Sequence, residues 1–364
     1  MSGPRPRRID QVVASLASRD AIGNHTLQIR RLLRDLGFES DIYYHVSTPD
    51  RAGDGLPLDR LDDGGASPAT RWLLYQLSIG SPAADVVAGR PEPLLVNYHN
   101  ITPADLLRRW EPAIAEEVTW GRDQLLRLAD RTVAAVCDST YNAAELDRAG
   151  YASTSVVPLL VDFDDFAGDA DPKVADRLAA ADGPQLLFVG KVAPHKAQHD
   201  LVKVLAVYRR LYHPAARLLL VGGSISDPYQ EAVAGLAAAA GLADAVEFAG
   251  SVTHEELVAY YRGADAFVCV SEHEGFCVPI VEALYHRLPV VAASVAAVPE
   301  TVGPAGVVVA DRDPLRVAAA VHRVLADGEL RTALAAAAEA RIADLSLDRN
   351  RQRFTEAIAA AVGG

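Results

Sequence analysis

The sequence predicts an α/β protein made of two doubly wound parallel-sheet domains, and three observations support this. The chain has 364 residues, about the length of two ordinary domains. Short apolar runs alternate with amphipathic stretches along it, as in successive βαβ units. Half of the residues are hydrophobic but only 6% are aromatic. This composition suits large cores built from Ala, Val and Leu.

The first series of βαβ units begins near the N-terminus. A turn at residues 20–24 follows the first predicted strand, and a helix then runs to about Gly37. Thr102-Pro103-Ala104-Asp105 has the pattern of a capped helix start. Residues 50–68, rich in Asp, Gly and Pro, predict an exposed loop. The strands of this series are predicted at 9–16, 41–46, 94–99, 132–137 and 154–160.

An acidic stretch broken by Gly and Pro separates the two series and predicts an inter-domain connection. The sequence therefore divides into a first domain at 1–165, a linker at 166–184, a second domain at 185–345 and a C-terminal helix at 346–364. We expect this helix to pack back on the first domain. The strands of the second series are predicted at 185–190, 217–223, 246–252, 266–271, 289–293 and 306–310.

Charge and cysteine content exclude several classes of function. The formal net charge of −13 argues against nucleic acid as the partner, because phosphate binding needs a basic surface. Three cysteines without CxxC spacing give neither a disulfide framework nor a zinc site and fit a reducing compartment. No apolar run is long enough to cross a membrane. We therefore expect a soluble, cytoplasmic protein.

The segment SEHEGFCVPIVEAL at 271–284 is the strongest candidate for a binding site. Glu274 lies in a polar loop after a buried strand, and Glu282 is expected in the first turn of a helix that Pro279 opens. Backbone N–H groups at such a helix start attract anions. Two carboxylates at the same place can accept hydrogen bonds from the hydroxyls of a polyhydroxylated ligand. Either glutamate alone reads as an ordinary solvated acid; the whole segment favours a binding site.

A second candidate follows the strand that ends in Gly190. The chain has four lysines among its 35 basic residues, and two of them, Lys191 and Lys196, lie in this one loop. A lysine is a compact point charge that suits phosphate oxygens. Loop lysines are usually just solvated, so the placement of the pair carries the prediction of a phosphate site.

With both motifs in place, the chain resembles the retaining glycosyltransferases of family 4, the group 1 enzymes with a GT-B fold. In that family a basic pair follows a strand-end glycine as Gly-[Arg/Lys]-Leu/Val-x-x-x-Lys, and two glutamates stand in the pattern Glu-x7-Glu. Gly190, Lys191 and Lys196 match the first pattern, and Glu274 and Glu282 match the second. The resemblance implies two Rossmann-like domains facing across a cleft. One departure is Lys191, which stands where arginine is common.

The resemblance also implies roles for single residues. Lys191 and Lys196 would bind the donor diphosphate and stabilise the charge of the leaving group. Glu274 would hold the donor sugar, and Glu282 the ribose. The other implied donor-binding residues are Gly23 in the first loop, Gly190, and the backbone of Gly275, Phe276, Cys277 and Val278.

His99, at the end of a predicted strand, resembles the family histidine that contacts the transferred sugar. It also reads as a strand-end histidine without a catalytic part. His25 and His195, although they lie in loops of the motifs, are expected to be solvated or structural. The implied catalytic residues are therefore His99, Lys191, Lys196 and Glu274.

The resemblance implies transfer of a hexose-type sugar from a UDP- or GDP-linked donor with retention of configuration. No nucleophile is marked, so the leaving diphosphate would take the proton of the acceptor. The acceptor, a small molecule, a glycan or a lipid-linked compound, is not identified. Neither a cofactor nor a metal is expected. Two pairs of aspartates have the Asp-x-Asp spacing of a metal site: Asp162 with Asp164, and Asp311 with Asp313. Both pairs are interpreted as structural, because the two lysines would supply the positive charge that a metal would otherwise bring.

Other functions stay open. A same-fold epimerase or phosphorylase would share these motifs, and a non-catalytic carbohydrate-binding module would share the fold. An NAD-dependent oxidoreductase is disfavoured, because no GxGxxG opens a helix after a strand. The arginines Arg30, Arg31 and Arg34 leave open a weak peripheral contact with an anionic membrane, although nearby acidic residues favour a solvated helix face.

Overall fold

The computed structural model describes residues 6–17, 20–62 and 70–363. The chain divides into two compact units. Unit 1 contains residues 1–104, 113–161 and 345–364, and unit 2 contains residues 105–112 and 162–344. Each unit has its own parallel sheet with helices.

The strands of unit 1 are β1 (Arg8–Leu16), β2 (Ile42–Ser47), β3 (Leu56–Pro57), β4 (Arg71–Leu77), β5 (Leu94–Tyr98), β6 (Thr132–Cys137) and β7 (Thr154–Val156). Its helices are α1 (Ala21–Asp35), α2 (Pro82–Ala88), α3 (Pro112–Leu128) and α4 (Thr140–Arg148), with α13 (Leu347–Gly363) from the end of the chain. All strand pairs are parallel, in the order β3-β2-β1-β4-β5-β6-β7.

The strands of unit 2 are β8 (Gln185–Val189), β9 (Arg217–Val221), β10 (Val246–Gly250), β11 (Ala266–Cys269), β12 (Val290–Ala293) and β13 (Gly306–Val309). Its helices are α5 (Pro172–Ala179), α6 (Gln198–Leu211), α7 (Asp227–Ala239), α8 (His254–Gly263), α9 (Val278–Tyr285), α10 (Val298–Val302), α11 (Pro314–Ala326) and α12 (Gly328–Asp344). The order is β10-β9-β8-β11-β12-β13, again all parallel.

Both sheets reverse their winding direction at one point. Counted within each unit, the order is 3-2-1-4-5-6, with a seventh strand added in unit 1, and this is the doubly wound arrangement. The reversal falls between β1 and β4 in unit 1, and between β8 and β11 in unit 2. Loops that follow these strands border the crevice where such sheets bind ligands. The predicted pair of doubly wound α/β sheets is confirmed.

Several local predictions were wrong. The strand β4 was not predicted, and the loop at 50–68 contains the short strand β3. The expected helix at Thr102 is only a 3₁₀ turn at Ala104–Leu106, and α3 begins at Pro112. The strand β7 stops at Val156, not at 160, because Pro158 has no N–H for the sheet.

The predicted linker also has regular structure. The helix α5 lies within residues 166–184, with Asp171 as its N-cap and Pro172 in its first turn. The Asp171 side chain accepts a hydrogen bond from the Val174 amide at 2.8 Å. Acidic residues and proline therefore open a helix here, where the sequence analysis expected only a connection.

Candidate functional site

The loop after β8 places the basic pair at the reversal point of unit 2. Gly190 ends the strand with φ 153°, and a side chain on its neighbour Gly222 would lie 2.2 Å from the Gly190 carbonyl oxygen. The ends of β8 and β9 can therefore lie this close only because the residue at position 222 has no side chain. Among the described residues, Lys191 is exposed and forms no ion pair. Lys196 closes a 3₁₀ turn that Pro194 opens.

The loop after β11 meets this basic loop. The Glu272 amide donates a hydrogen bond to the His195 carbonyl at 2.7 Å. Lys196 Nζ lies 2.6 Å from Glu274 Oε2, so the predicted phosphate-binding lysine and the predicted sugar-binding glutamate form an ion pair. The two motifs, 78 residues apart in sequence, are thus parts of one site.

The environment of the pair fixes its charges. The Glu274 side chain is 6% exposed and that of Lys196 is 22% exposed. Burial alone would lower the pKa of Lys196, but the Glu274 carboxylate outweighs it and raises the pKa above its usual value. Lys196 therefore keeps its positive charge at neutral pH. Ser271, which the sequence analysis did not single out, donates to Glu274 Oε1 at 2.7 Å.

The start of α9 lies directly after Glu274. Cys277 occupies the N-cap with φ 73° and provides no side-chain cap, and the first amides of a helix have no acceptor within it. The predicted donor-binding backbone from Gly275 to Val278 thus leads into an uncapped helix start. Pro279 has no N–H, and the Ile280 amide donates to the Cys277 carbonyl at 3.0 Å, so this start attracts anions mainly through the helix dipole.

Glu282 lies apart from the Lys196–Glu274 pair. It is the fifth residue of α9, in the second turn and not in the first as predicted. Tyr261 of α8 donates a hydrogen bond to Glu282 Oε2 at 2.5 Å. Burial raises the pKa of this carboxyl, although the Tyr261 hydroxyl acts in the opposite direction. The carboxylate faces a crevice lined also by Phe166, His254 and His286.

Two predicted residues belong to unit 1. Gly23 is not in a turn but in the first turn of α1, where its amide donates to Asp20 Oδ2 at 3.1 Å. His99 follows β5 and is buried, and both its ring nitrogens have partners: Asp138 Oδ2 at 2.9 Å and Gln76 Oε1 at 2.7 Å. His25, expected to be solvated or structural, is buried against the His99 ring at 5.3 Å between centroids.

Burial changes the protonation of this cluster. It raises the pKa of Asp138 and, together with the nearby His99, lowers the pKa of His25 well below its usual value. Asp138 and Gln76 are the partners that sequence reasoning missed. Gln76 lies in β4, the strand that was also missed, so no signal pointed to it.

Arg312 is a further residue that was missed. Its Nη1 lies 2.7 Å from Asp200 Oδ2 and 3.1 Å from Glu272 Oε1. It thereby neutralises two acids, one of them in the loop that carries Glu274. In the sequence, the one sign that Arg312 belongs near this site is its position in a turn after β13, a strand of the same sheet.

The two metal-like pairs of aspartates have capping roles. Asp162 accepts from the Asp164 amide at 3.1 Å, and Asp313 caps α11 by accepting from the amides of Leu315 and Arg316. Asp311 also pairs with Arg316 at 2.9 Å. These contacts are those of ordinary turn and helix-cap carboxylates.

The basic face of α1 is largely engaged within unit 1. Arg34 pairs with Asp41 at 3.0 Å, and Arg30 donates to the Asp54 carbonyl. Within residues 6–17, 20–62 and 70–363, none of the helices combines the length and apolar character that a membrane span requires.

Comparison with known proteins identifies the family. The family model described as "Glycosyl transferases group 1" matches residues 170–341. A D-inositol 3-phosphate glycosyltransferase of Nocardiopsis dassonvillei is 33% identical over 285 residues, 74% of this chain and 66% of that protein. One from Geodermatophilus obscurus is 35% identical over 231 residues, 58% of this chain and 49% of that protein.

A third relative is a GDP-mannose-dependent alpha-(1-6)-phosphatidylinositol monomannoside mannosyltransferase of Mycobacterium tuberculosis. It is 34% identical over 239 residues, 61% of each chain. The matched part of this chain thus spans between about half and two thirds of the length of these curated relatives.

Solved structures share the fold over nearly the whole chain. The sucrose-phosphate synthase of Thermosynechococcus elongatus has a TM-score of 0.76 at 19% identity and covers 98% of this chain and 100% of its own. Anabaena Alr3699/HepE in complex with UDP-glucose has a TM-score of 0.77 at 16% identity and covers 97% and 99%. These likenesses show the GT-B fold. With the family model at 170–341 and the curated relatives, they show that the chain belongs to the group 1 glycosyl transferases.

Proposed function

We propose that this protein is a retaining glycosyltransferase of family 4 that moves a hexose-type sugar from a nucleoside-diphosphate sugar to an acceptor. The observation that carries the proposal is the Lys196–Glu274 ion pair at the reversal point of unit 2. It joins a fixed positive charge, suited to a diphosphate, to a carboxylate suited to sugar hydroxyls.

The positive charges have a direct role in this reaction. When the bond from the sugar to the diphosphate breaks, negative charge grows on the leaving oxygen. Lys196 and the exposed Lys191, with the positive end of the α9 helix dipole, stabilise that charge from positions set before the reaction. Because the lysines supply the charge, the reaction needs no metal. The leaving diphosphate oxygen then accepts the proton of the attacking hydroxyl.

The two carboxylates have different tasks in the proposal. Glu274 accepts hydrogen bonds from the donor sugar, which changes during the reaction, whereas Glu282 accepts from the ribose, which does not. The nucleoside of the donor is uridine or guanosine: the Anabaena structure holds UDP-glucose, and the Mycobacterium relative is named GDP-mannose-dependent. The cytoplasm, which suits three unpaired cysteines, is the proposed location.

The lysine charge is tested by kinetics. Lys196→Ala is expected to lower kcat by about 10²–10³, the usual effect of removing one preorganised charge or donor. Saturating EDTA is expected to leave the wild-type rate unchanged. Nucleoside diphosphate release from UDP-glucose and GDP-mannose is measured with polyol phosphates and phosphatidylinositol vesicles as acceptors. Lys173→Ala, at an exposed position of α5, is the matched control with a normal rate.

Two results would contradict the proposal. Loss of activity in EDTA with recovery in Mg²⁺ would show that a metal supplies the charge. A normal rate in Lys196→Ala would remove the ion pair from the mechanism. Calorimetry distinguishes the roles of the two glutamates. Glu282→Ala is expected to weaken the binding of free nucleoside diphosphate, whereas Glu274→Ala is expected to leave that binding nearly unchanged and to lower kcat.

A further inference from the structure

Two cysteines lie beside the Lys196–Glu274 pair, and neither has a part in the proposed reaction through its thiol. Cys269 is the last residue of β11 and Cys277 is the N-cap of α9. Both are buried. Their sulfur atoms and a carboxylate oxygen of Glu274 all lie within 4.8 Å of one another. These three residues are called the dithiol cluster below.

The backbone holds the Cys277 thiol in this cluster at a cost. The φ of 73° is left-handed, a conformation that is strained for an L-residue and nearly free of cost for a glycine. Cys277 does not cap the helix, so capping does not offset this cost.

The donor set matches the preferences of one class of ion. Two thiolates and a carboxylate bind Zn²⁺ and similar cations tetrahedrally, with Zn–S near 2.3 Å and Zn–O near 2.0 Å. Such bonds place the donor atoms less than about 4 Å apart, which the 4.8 Å limit on the cluster allows. The Ser271 hydroxyl, 3.5 Å from Cys269 Sγ, or a solvent molecule can complete the tetrahedron.

Charge also balances at this place. Two thiolates and one carboxylate carry three negative charges. A divalent cation and the Lys196 ammonium, 2.6 Å from Glu274, carry three positive ones. A buried group of charges that cancel in this way avoids most of the penalty of an unpaired charge.

Two other groups of possible ligands converge in the described residues, and their atoms are already engaged. In His25, His99 and Asp138 the histidine nitrogens are bonded to Gln76, Asn97, the Leu160 amide and Asp138 itself. In His199, Asp200 and Glu272, the cations Arg312 and Lys203 occupy the carboxylates. Neither of these two groups contains a thiol, so they lack the soft sulfur donors that a thiophilic cation prefers.

We propose that Cys269, Cys277 and Glu274 form an inhibitory site for a thiophilic divalent cation such as Zn²⁺. Binding releases two protons from the thiols to solvent and engages a Glu274 oxygen with the metal, while Lys196 stays beside the carboxylate. The sugar-binding carboxylate is then no longer available to the donor. The inhibition rests on the proposed function, whereas metal binding itself does not.

Metal binding is tested on the full chain, kept reduced with a phosphine, with Cd²⁺ as the probe. Cd²⁺ is expected to produce the ultraviolet charge-transfer band of a cadmium thiolate at one ion per chain. Cys269→Ser and Cys277→Gly are each expected to weaken binding tenfold or more. Cys277→Gly also relieves the strained φ, so that loss of folding does not explain its result. Cys137→Ser, a buried cysteine of unit 1, is the matched control with unchanged binding.

Inhibition is tested separately. Micromolar Zn²⁺ is expected to abolish sugar transfer by the wild type, with recovery on addition of EDTA, and Cys269→Ser is expected to resist it. A charge-transfer band that survives both site variants, or that disappears in Cys137→Ser, overturns the site. The absence of a charge-transfer band from the reduced wild type at saturating Cd²⁺ also overturns it. If Cd²⁺ produces the band but Zn²⁺ does not inhibit sugar transfer, the metal site stands and its inhibitory role is wrong. If the protein has no transferase activity, the proposed function is wrong and the result of the metal-binding test is unaffected.

Discussion

The carboxyl group of Glu282 is half-buried and is held by one hydroxyl, that of Tyr261. Its pKa in the folded chain is raised by burial, from about 4.3 in an unfolded chain. Below the unfolded value both states carry the proton, and the carboxyl has no effect on stability. As pH rises through the folded pKa, the folded chain must ionise a buried group, and its free energy of unfolding falls.

Removing the charge of Glu282 is therefore predicted to raise the free energy of unfolding by an amount that depends on pH. Glu282→Gln keeps an acceptor for Tyr261 and has no charge to bury. It is expected to stabilise the protein at pH 7 and to have little effect near pH 4. Urea unfolding at both pH values measures this. Glu231→Gln, at an exposed glutamate of α7, is the control, and its effect on the free energy of unfolding is expected to be the same at both pH values. If the two variants change stability equally, burial of Glu282 does not have the proposed effect.

Motif spacing pointed to two loops of unit 2 that lie together in the structure. The lysine loop and the glutamate loop were found separately, and their ion pair follows from the topology, because both loops extend from strands at the reversal point. Tyr261, Ser271 and Arg312 could not be predicted. A tyrosine in a helix and an arginine in a turn have no local pattern that distinguishes a site partner from a surface residue.

At the scale of elements, the end of α9 shows how a residue stores strain. Arg287 follows the C-cap with φ 55°, and the Leu288 amide donates to the Ala283 carbonyl at 2.9 Å. This is a Schellman ending, whose left-handed position favours glycine.

Arg287→Gly is expected to raise the free energy of unfolding by ~0.5–1 kcal/mol, since the relief of strain exceeds the entropy that glycine adds to the unfolded chain. Arg287→Ala keeps the strain and is the control: both variants lose the exposed pair with Glu339, which contributes little. Thermal unfolding of the three proteins measures the difference. Equal stability of the two variants would show that the φ of Arg287 is not strained.

Strands with continuous apolar runs were predicted to within two residues at each end, except for β7, whereas β4 was missed. Its sequence begins with Arg71 and includes Gln76, and both side chains are buried. Arg71 is stabilised by Asp10 of β1, 2.8 Å away. The partner that permits a buried arginine is thus 61 residues distant, and local reading of the sequence could not provide it. Because β4 borders the reversal point, the order of the first sheet could not be derived either.

At the scale of the whole molecule, α13 completes the core of unit 1. Phe354 is fully buried there with Ile9, Leu74 and Leu95, and the Asn350 amide group donates to the Leu159 carbonyl at 3.2 Å. The end of the chain is therefore part of the first hydrophobic core.

Phe354→Ala is expected to destabilise unit 1 by about 3–5 kcal/mol, the usual cost of deleting a buried aromatic ring. Gln352→Ala, at an exposed position two residues away, is the control, with an expected change below ~0.5 kcal/mol. Denaturant unfolding followed by limited proteolysis shows which unit opens first. If Phe354→Ala unfolds at the same denaturant concentration as the control, α13 does not contribute to this core.

The place of α13 also sets the order in which the units mature on the ribosome. Residues 162–344 supply nearly all of unit 2, and they emerge before the segment from 345 that unit 1 requires. Unit 1 begins synthesis first but is finished last. Until Phe354 leaves the exit tunnel, the part of the core around Ile9 and Leu74 that it covers stays open, and this is the kind of surface that chaperones bind. The first unit to be translated is thus the one that depends longest on protection by the cell.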